Sequence, residues 1–237
     1  MTGSRPPAVR LRHLAAPLFA LTVTLAAASP AGASTGHPTP TIVDTARGHG
    51  TVVSYTFDDG PNPVDTPRLL AVLRARHVRA VFCVQGDHAR EYPALVRRIA
   101  AEGHLLCNHS LKHDDLGTWT VDQIRADLLA TNAAIRAAVP HAHIPYFRAP
   151  FGSWGATPEV AAGLGMQPLG WRLAITDWEP PGTDELVRRL MDGITPGAVV
   201  LMHDGGGDRS QTVEAVNRTI PLLRAAGYRF TLPARGH

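Results

Sequence analysis

From residue 51 onward, short apolar runs alternate with longer stretches in which apolar residues recur every three to four positions. The runs read as buried strands and the longer stretches as amphipathic helices. The strand candidates are 51–57, 79–84, 104–108, 144–148, 166–173, 197–202 and 228–232. The helices between them carry their own punctuation. Pro67 sits in a first turn ahead of Leu69, Leu70 and Leu73, and Pro93 leads Leu95, Val96 and Ile99 to a stop at Gly103. Thr120 and Gln123 form a capping box before Ile124, Leu128 and Ile135, and Pro140 marks the end. Thr157–Pro158 opens a helix that Gly165 closes, and 184–192 and 212–226 supply the last two. Pro221 is expected to kink or split the final one. This alternation is that of an α/β fold with a mostly parallel sheet.

The N-terminus has a different pattern. Arg5, Arg10 and Arg12 precede an apolar stretch over 14–28, and Ala31–Gly32–Ala33 offers an Ala-x-Ala cleavage site. Residues 1–33 therefore read as a secretory signal peptide, with an uncleaved anchor as the alternative; the stretch is shorter than the roughly 20 residues of a spanning helix. The expectation is a secreted or cell-wall-associated protein with no membrane contact once the signal is removed. Residues 34–50 read as a poorly ordered tether and 51–237 as the folded domain, of a size that suits one barrel and a monomer.

Export changes how charge and cysteines are read. The 237-residue chain has a formal charge of +3, from 23 basic and 20 acidic residues. Residues 1–33 hold three arginines and no acid, so removing them leaves 20 basic against 20 acidic. There is one lysine, Lys112, and no basic run or interleaved aromatic platform, so nucleic acid is not an expected partner. Cys83 and Cys107 each end an apolar run, near the same end of neighbouring strands. An oxidising compartment permits a disulfide between them, and two buried thiols are the alternative.

Four strands lead directly into groups capable of chemistry: Asp58–Asp59, His109, Arg148 and His203. Chemistry gathered from the ends of several strands suits a barrel better than the single switch point of an open sheet. No GxGxxG or GxxxxGK[ST] loop follows a strand, and Gly205–Gly206–Gly207 lacks that spacing. Neighbouring carboxylates such as Asp58 and Asp59 can serve one site only where the chain leaves the strand, as Gly60–Pro61 allows. Such a pair can divide labour, one binding a cation while the other accepts a proton. His109 and His113 stand four residues apart, a spacing that aims both rings at one ion. Two imidazoles and one carboxylate leave coordination positions open, as a catalytic metal requires. An oxygen-activating iron centre uses the same donors and is a further alternative.

Thr56-Phe57-Asp58-Asp59-Gly60, His109-Ser110-x-x-His113, Arg148-Ala149-Pro150-Phe151, Asp177-Trp178 and Leu201-Met202-His203 follow one another in the order of five known motifs. In this the chain resembles the polysaccharide deacetylases, the NodB-like carbohydrate esterase family four, from residue 51 to about 230. The resemblance implies a distorted, incomplete (β/α) barrel and metal-dependent removal of acetyl groups from a glycan. It implies Asp59, His109 and His113 as ligands of a divalent metal, zinc first and cobalt second. It implies Asp58 as base, positioned by Arg148, and His203 as acid, held by Asp177. The backbone N–H of Phe151 matches an oxyanion donor, and Trp178 and Leu201 match the lining of the acetyl pocket. By position alone, Asp204 could orient His203 in place of Asp177. Ala174 departs from the pattern, which often has an acid three residues before the Asp–Trp pair. His88, His104, His141 and His143 match no role and read as structural or surface residues. Of the glycosylation sequons at Asn108 and Asn217, the first is read as coincidental.

The expected substrate is an acetylated polysaccharide, with N-acetylglucosamine chains of peptidoglycan or chitin type ahead of acetylated xylan. A non-catalytic glycan-binding protein of the same fold is the alternative from another class. Specificity is expected in the loops 62–66, 112–119, 153–156 and 178–183.

Overall fold

The computed structural model describes residues 1–4, 8 and 40–236. The signal expected over 1–33 lies almost wholly outside them. The body begins with β1 (Val52–Asp58), α1 (Asp65–Ala75) and β2 (Val81–Val84). It continues through α2 (Gly86–Glu91), α3 (Pro93–Ala101), β3 (Leu105–Asn108), α4 (Val121–Ala138) and β4 (Tyr146–Phe147). After α5 (Thr157–Gly163) come β5 (Gln167–Pro168), β6 (Leu173–Ala174), α6 (Thr183–Gly193), β7 (Ala198–His203), α7 (Ser210–Ala225) and β8 (Arg229–Phe230).

The sheet runs β5-β4-β3-β2-β1-β7-β6, with β8 attached to β1, and its strand pairs are parallel. Its two edge strands, β5 and β6, are separated by only four residues of chain. The sheet therefore curls into an incomplete barrel whose gap those residues span. This corrects the single strand expected over 166–173. An unbroken strand would pair on one edge only, whereas the chain leaves β4 at Pro168 and joins β7 at Leu173.

The gap also explains a departure at the tether. Val43 bridges Leu169, Thr45 bridges Ala198 and Ala46 bridges Pro233, with Val43 and Ala46 buried. Open strand edges present unpaired backbone groups, and this segment supplies partners for them. The last part of the expected tether is thus built into the fold.

Alternation along the strands sorts the core. Val53, Tyr55 and Phe57 of β1 join the cluster beneath the helices, with Leu69, Leu70, Ile99, Ile124 and Ile220. A second cluster comprises Val81, Cys83, Cys107, Tyr146, Leu169 and Val199. Cys83 and Cys107 are register partners on β2 and β3 and are joined as a disulfide. The capping box at Thr120 and Gln123 is present, satisfying backbone N–H groups of the first turn of α4. Helix α7 runs through Pro221 as one element, against the expected split; buried Val216, Ile220 and Leu223 hold it to the core across the missing hydrogen bond. Among the described residues, no helix is long and apolar enough to cross a membrane.

Candidate active site

The carboxyl ends of β1, β3, β4 and β7 deliver the site. Register places Asp58 level with Cys83 on one side and His203 on the other. Asp59 then leaves strand geometry with φ 69°, in the left-handed region, and this turn lets two consecutive carboxylates serve one cavity. Arg148 is fully buried beneath them. Its guanidinium donates to Asp58 Oδ1 and Thr56 Oγ1, each at 2.8 Å, and to the carbonyls of Leu169 and Gly170, each at 3.0 Å. With these acceptors filled, the guanidinium cannot turn away, and Asp58 is held in one orientation.

His109 is set from behind. Its Nδ1 lies 2.8 Å from the Arg148 carbonyl, which can only accept, so Nδ1 carries the proton and Nε2 offers its lone pair to the cavity. That Nε2 is 3.4 Å from Asp59 Oδ1, and His113 Nε2 is 3.3 Å from the same oxygen. The three donor atoms lie within 4.8 Å of one another, which fits one divalent cation. The loop between the histidines is tied down residue by residue. The His113 N–H donates to Ser110 Oγ, the Ser110 N–H to Asn108 Oδ1, and the Leu111 N–H to Asp127 Oδ1. Ser110 and His113 join Asp59 in the left-handed region. Each such residue costs of order 1 kcal/mol, and their clustering marks backbone strain at a functional site.

Burial alone would raise the Asp59 carboxyl, but the hydrogen bond and charge of His109, with the charges of His113 and His203, hold it well below its usual range. For His109, burial opposes protonation and the charges of Asp58 and Asp59 overcome it; for His113, burial and the charge of His109 push the ring down.

Across the cavity, His203 Nδ1 is 2.7 Å from Asp177 Oδ1, while Asp177 Oδ2 accepts from the His203 N–H and from Thr212 Oγ1. Burial would lower the His203 pKa, but the hydrogen bond and charge of Asp177 raise it overall. Asp204, the positional alternative, accepts instead from Thr66 Oγ1, and its other oxygen has no partner among the described residues. Burial and the charges of Asp59 and Asp58 raise its pKa to about 7.

Between the two halves lies a cavity of about 470 Å³, bordered by Leu201, Trp178 and Phe151. Trp178 stands edge-on to His203 at 5.4 Å, and Phe151 to His113 at 4.4 Å. Phe151 is 72% exposed with φ 58°, a conformation in which its side chain borders the mouth. Asp58, Asp59, His109, His113, Phe151, Trp178, Leu201 and His203 are thus brought to one cavity, with Arg148 and Asp177 behind it on Asp58 and His203 and the cysteine pair level with Asp58 in the sheet.

Several residues at the site were not anticipated. Gln85 Nε2 donates to Asp59 Oδ1 at 3.1 Å, and His88 Nδ1 lies 2.7 Å from the Asp59 carbonyl. Trp171 stacks over the Arg148 guanidinium and borders the cavity, as do Gly206 and Arg209. Trp171 sits in the barrel gap, where strand patterning carries no signal.

A family model described as polysaccharide deacetylase matches residues 45–169. The chain belongs to the polysaccharide deacetylase family of enzymes. A chitooligosaccharide deacetylase of Sinorhizobium fredii is 38% identical over 187 residues, covering 74% of this chain and 87% of that one. A peptidoglycan-N-acetylglucosamine deacetylase of Bacillus cereus is 34% identical over 182 residues, covering 76% and 84%. Among solved structures, a carbohydrate esterase family four pseudoenzyme from Bacillus anthracis superposes with TM-score 0.76 at 29% identity, covering 81% of this chain and 67% of that one. The deacetylase fold is therefore compatible with an inactive site. In this polysaccharide deacetylase domain Asp58, Asp59, His109, His113 and His203, the residues expected to react or to hold a metal, all face one cavity.

Proposed function

We propose that the chain is an exported, metal-dependent hydrolase that removes N-acetyl groups from N-acetylglucosamine chains of chitin or peptidoglycan type. The observation that carries this reading is the opposition, across one cavity, of Asp58 on Arg148 and His203 on Asp177, with the Asp59, His109 and His113 donors between them. Asp59, His109 and His113 would hold a divalent cation, zinc foremost, which would supply the Lewis acidity to polarise an acyl carbonyl and ease deprotonation of water.

The chain's own groups then divide the proton transfers. Asp58, oriented by Arg148, accepts the proton of the attacking water. The backbone N–H of Phe151 donates to the oxygen on which charge develops. His203, kept protonated by Asp177, gives its proton to the departing nitrogen. An amine leaves poorly unless protonated, and an acid facing the base across the cavity meets that need. Trp178 and Leu201 receive the acetyl methyl group and exclude water from it.

Acetate release measured side by side on chitin oligomers, peptidoglycan and acetylated xylan tests the reading. The expected result is release from the first two, abolished by chelation and restored by zinc or cobalt. Equal activity in metal-stripped protein, or release from xylan alone, defeats it.

A further inference from the structure

The glycine run after β7 and the arginine that follows it have no part in the chemistry above, yet they touch both halves of the site. The N–H groups of Asp204 and Gly205 donate to the Asp58 carbonyl at 3.0 and 3.2 Å. A Cβ at Gly205 would overlap the Asp59 carbonyl, and one at Gly206 would come within 2.7 Å of Asp59 Oδ2. This loop thus lies directly against the backbone and the carboxylate of Asp59, which is why side chains are excluded there.

Arg209 holds the loop. It is 5% exposed, at the start of α7, with its own N–H on Asp65 Oδ2 at 2.8 Å. Its guanidinium donates to the carbonyls of Gly205 at 2.7 Å, Gly206 at 2.8 Å and Asp177 at 3.3 Å. The first two belong to the loop on Asp59, and the third belongs to the residue that orients His203. Glycines leave a loop the largest conformational freedom, and a planar fork bonded to two successive carbonyls removes it.

We propose that Arg209 is a positioning residue: through three main-chain carbonyls it keeps the Asp58–Asp59 pair and the His203–Asp177 pair in one fixed relation. This rests on the hydrolase reading for its effect on turnover, and on geometry alone for its effect on metal affinity. Lysine cannot replace it, because a single ammonium has no fork with which to span carbonyls from two separate segments.

The test uses Arg209→Ala and Arg209→Lys in the full mature chain. It measures kcat and KM on chitin oligomers, zinc affinity by titration of metal-free protein, and kcat with and without millimolar guanidinium. Loss of a group that supports metal ligands typically costs 10–100-fold, so Arg209→Ala is expected to lower kcat and weaken zinc binding by about 10-fold or more. KM should hold, added guanidinium should recover part of kcat, and Arg209→Lys should fall between alanine and wild type. Wild-type kcat and zinc affinity in Arg209→Ala overturn the proposal. So does a loss of kcat with zinc affinity intact and no response to guanidinium, the result of a purely structural role. If the alanine variant does not fold, Arg209→Lys decides, and wild-type values in it overturn the proposal. If wild-type protein releases no acetate, the hydrolase reading fails, while the zinc titration still tests Arg209.

Discussion

At the scale of single residues, Asp58 and Asp59 show how one strand end aims two neighbouring carboxylates at different partners. Asp58 keeps strand geometry and faces Arg148, while Asp59 turns left-handed toward the two imidazoles. Asp58→Asn should therefore keep zinc binding and lose about 10²–10⁴-fold in kcat, the usual worth of a positioned proton acceptor. His113→Ala should lose both, as a ligand does. Zinc titration and turnover in the two variants check this; wild-type rates in Asp58→Asn would remove it from the role of base. Asp177 acts on the opposite proton. Its charge raises the His203 pKa, so the acid stays loaded to higher pH than a free imidazole. In Asp177→Asn that support is gone, the His203 pKa falls, and the alkaline limb of the kcat profile should move to lower pH. An unmoved limb would show that another group sets it.

At the scale of elements, register does much of the positioning. Parallel pairing brings His203 level with Asp58, and Asn108 level with Phe147 so that His109 meets the Arg148 carbonyl. The disulfide belongs to the same layer. Cys83 lies beside Asp58 in register, and Cys107 comes two residues before His109, so the bridge ties β2, the neighbour of β1, to β3. It closes a loop with a sequence separation of 24, for which chain entropy alone suggests about 3 kcal/mol. Replacing both cysteines by alanine should lower unfolding free energy by roughly that amount. Zinc affinity should change little, since the donors are held by other contacts. A denaturant titration that shows no loss would mean the bridge contributes nothing to stability.

These elements also show where reading along the chain stops. The alternating pattern of Val53, Tyr55 and Phe57 locates β1, and the capping box at Thr120 locates α4. The break at 169–172 and the docking of Val43 and Ala46 are absent from any periodic pattern. Both answer a need that arises only when the sheet curls and leaves edges to be covered. Arg209 is silent in the sequence for a similar reason: its guanidinium bonds main-chain carbonyls, which carry no residue signature.

At the scale of the whole molecule, stability should fall on mild acidification for a reason remote from the active site. His104 is buried at the start of β3, with Nδ1 accepting the Ala80 N–H at 3.1 Å and its other nitrogen without a partner among the described residues. Burial pushes its pKa from 6.5 down to about 4. Below pH 6.5 the unfolded chain takes up a proton that the folded chain refuses until about pH 4, so within that window stability rises with pH and is lost as pH falls. The full difference is on the order of 3 kcal/mol. His104→Gln keeps an acceptor and does not titrate, so its unfolding free energy should fall less between pH 7 and pH 4.5. Equal losses in both proteins would exclude His104 as the source.

The sequence by itself determined the alternating α/β architecture, the five motifs and the candidates for the reacting groups, because strand and helix periods and the spacing of His109 and His113 are local properties of the chain. Tertiary structure alone decided which carboxylate orients His203, where the barrel opens, how the segment around Val43 covers that opening, and which buried arginine holds the two halves of the site together. Each of those depends on groups distant in the chain meeting across a curled sheet, and the chemistry that joins them runs through backbone carbonyls and excluded volume that residue types do not record.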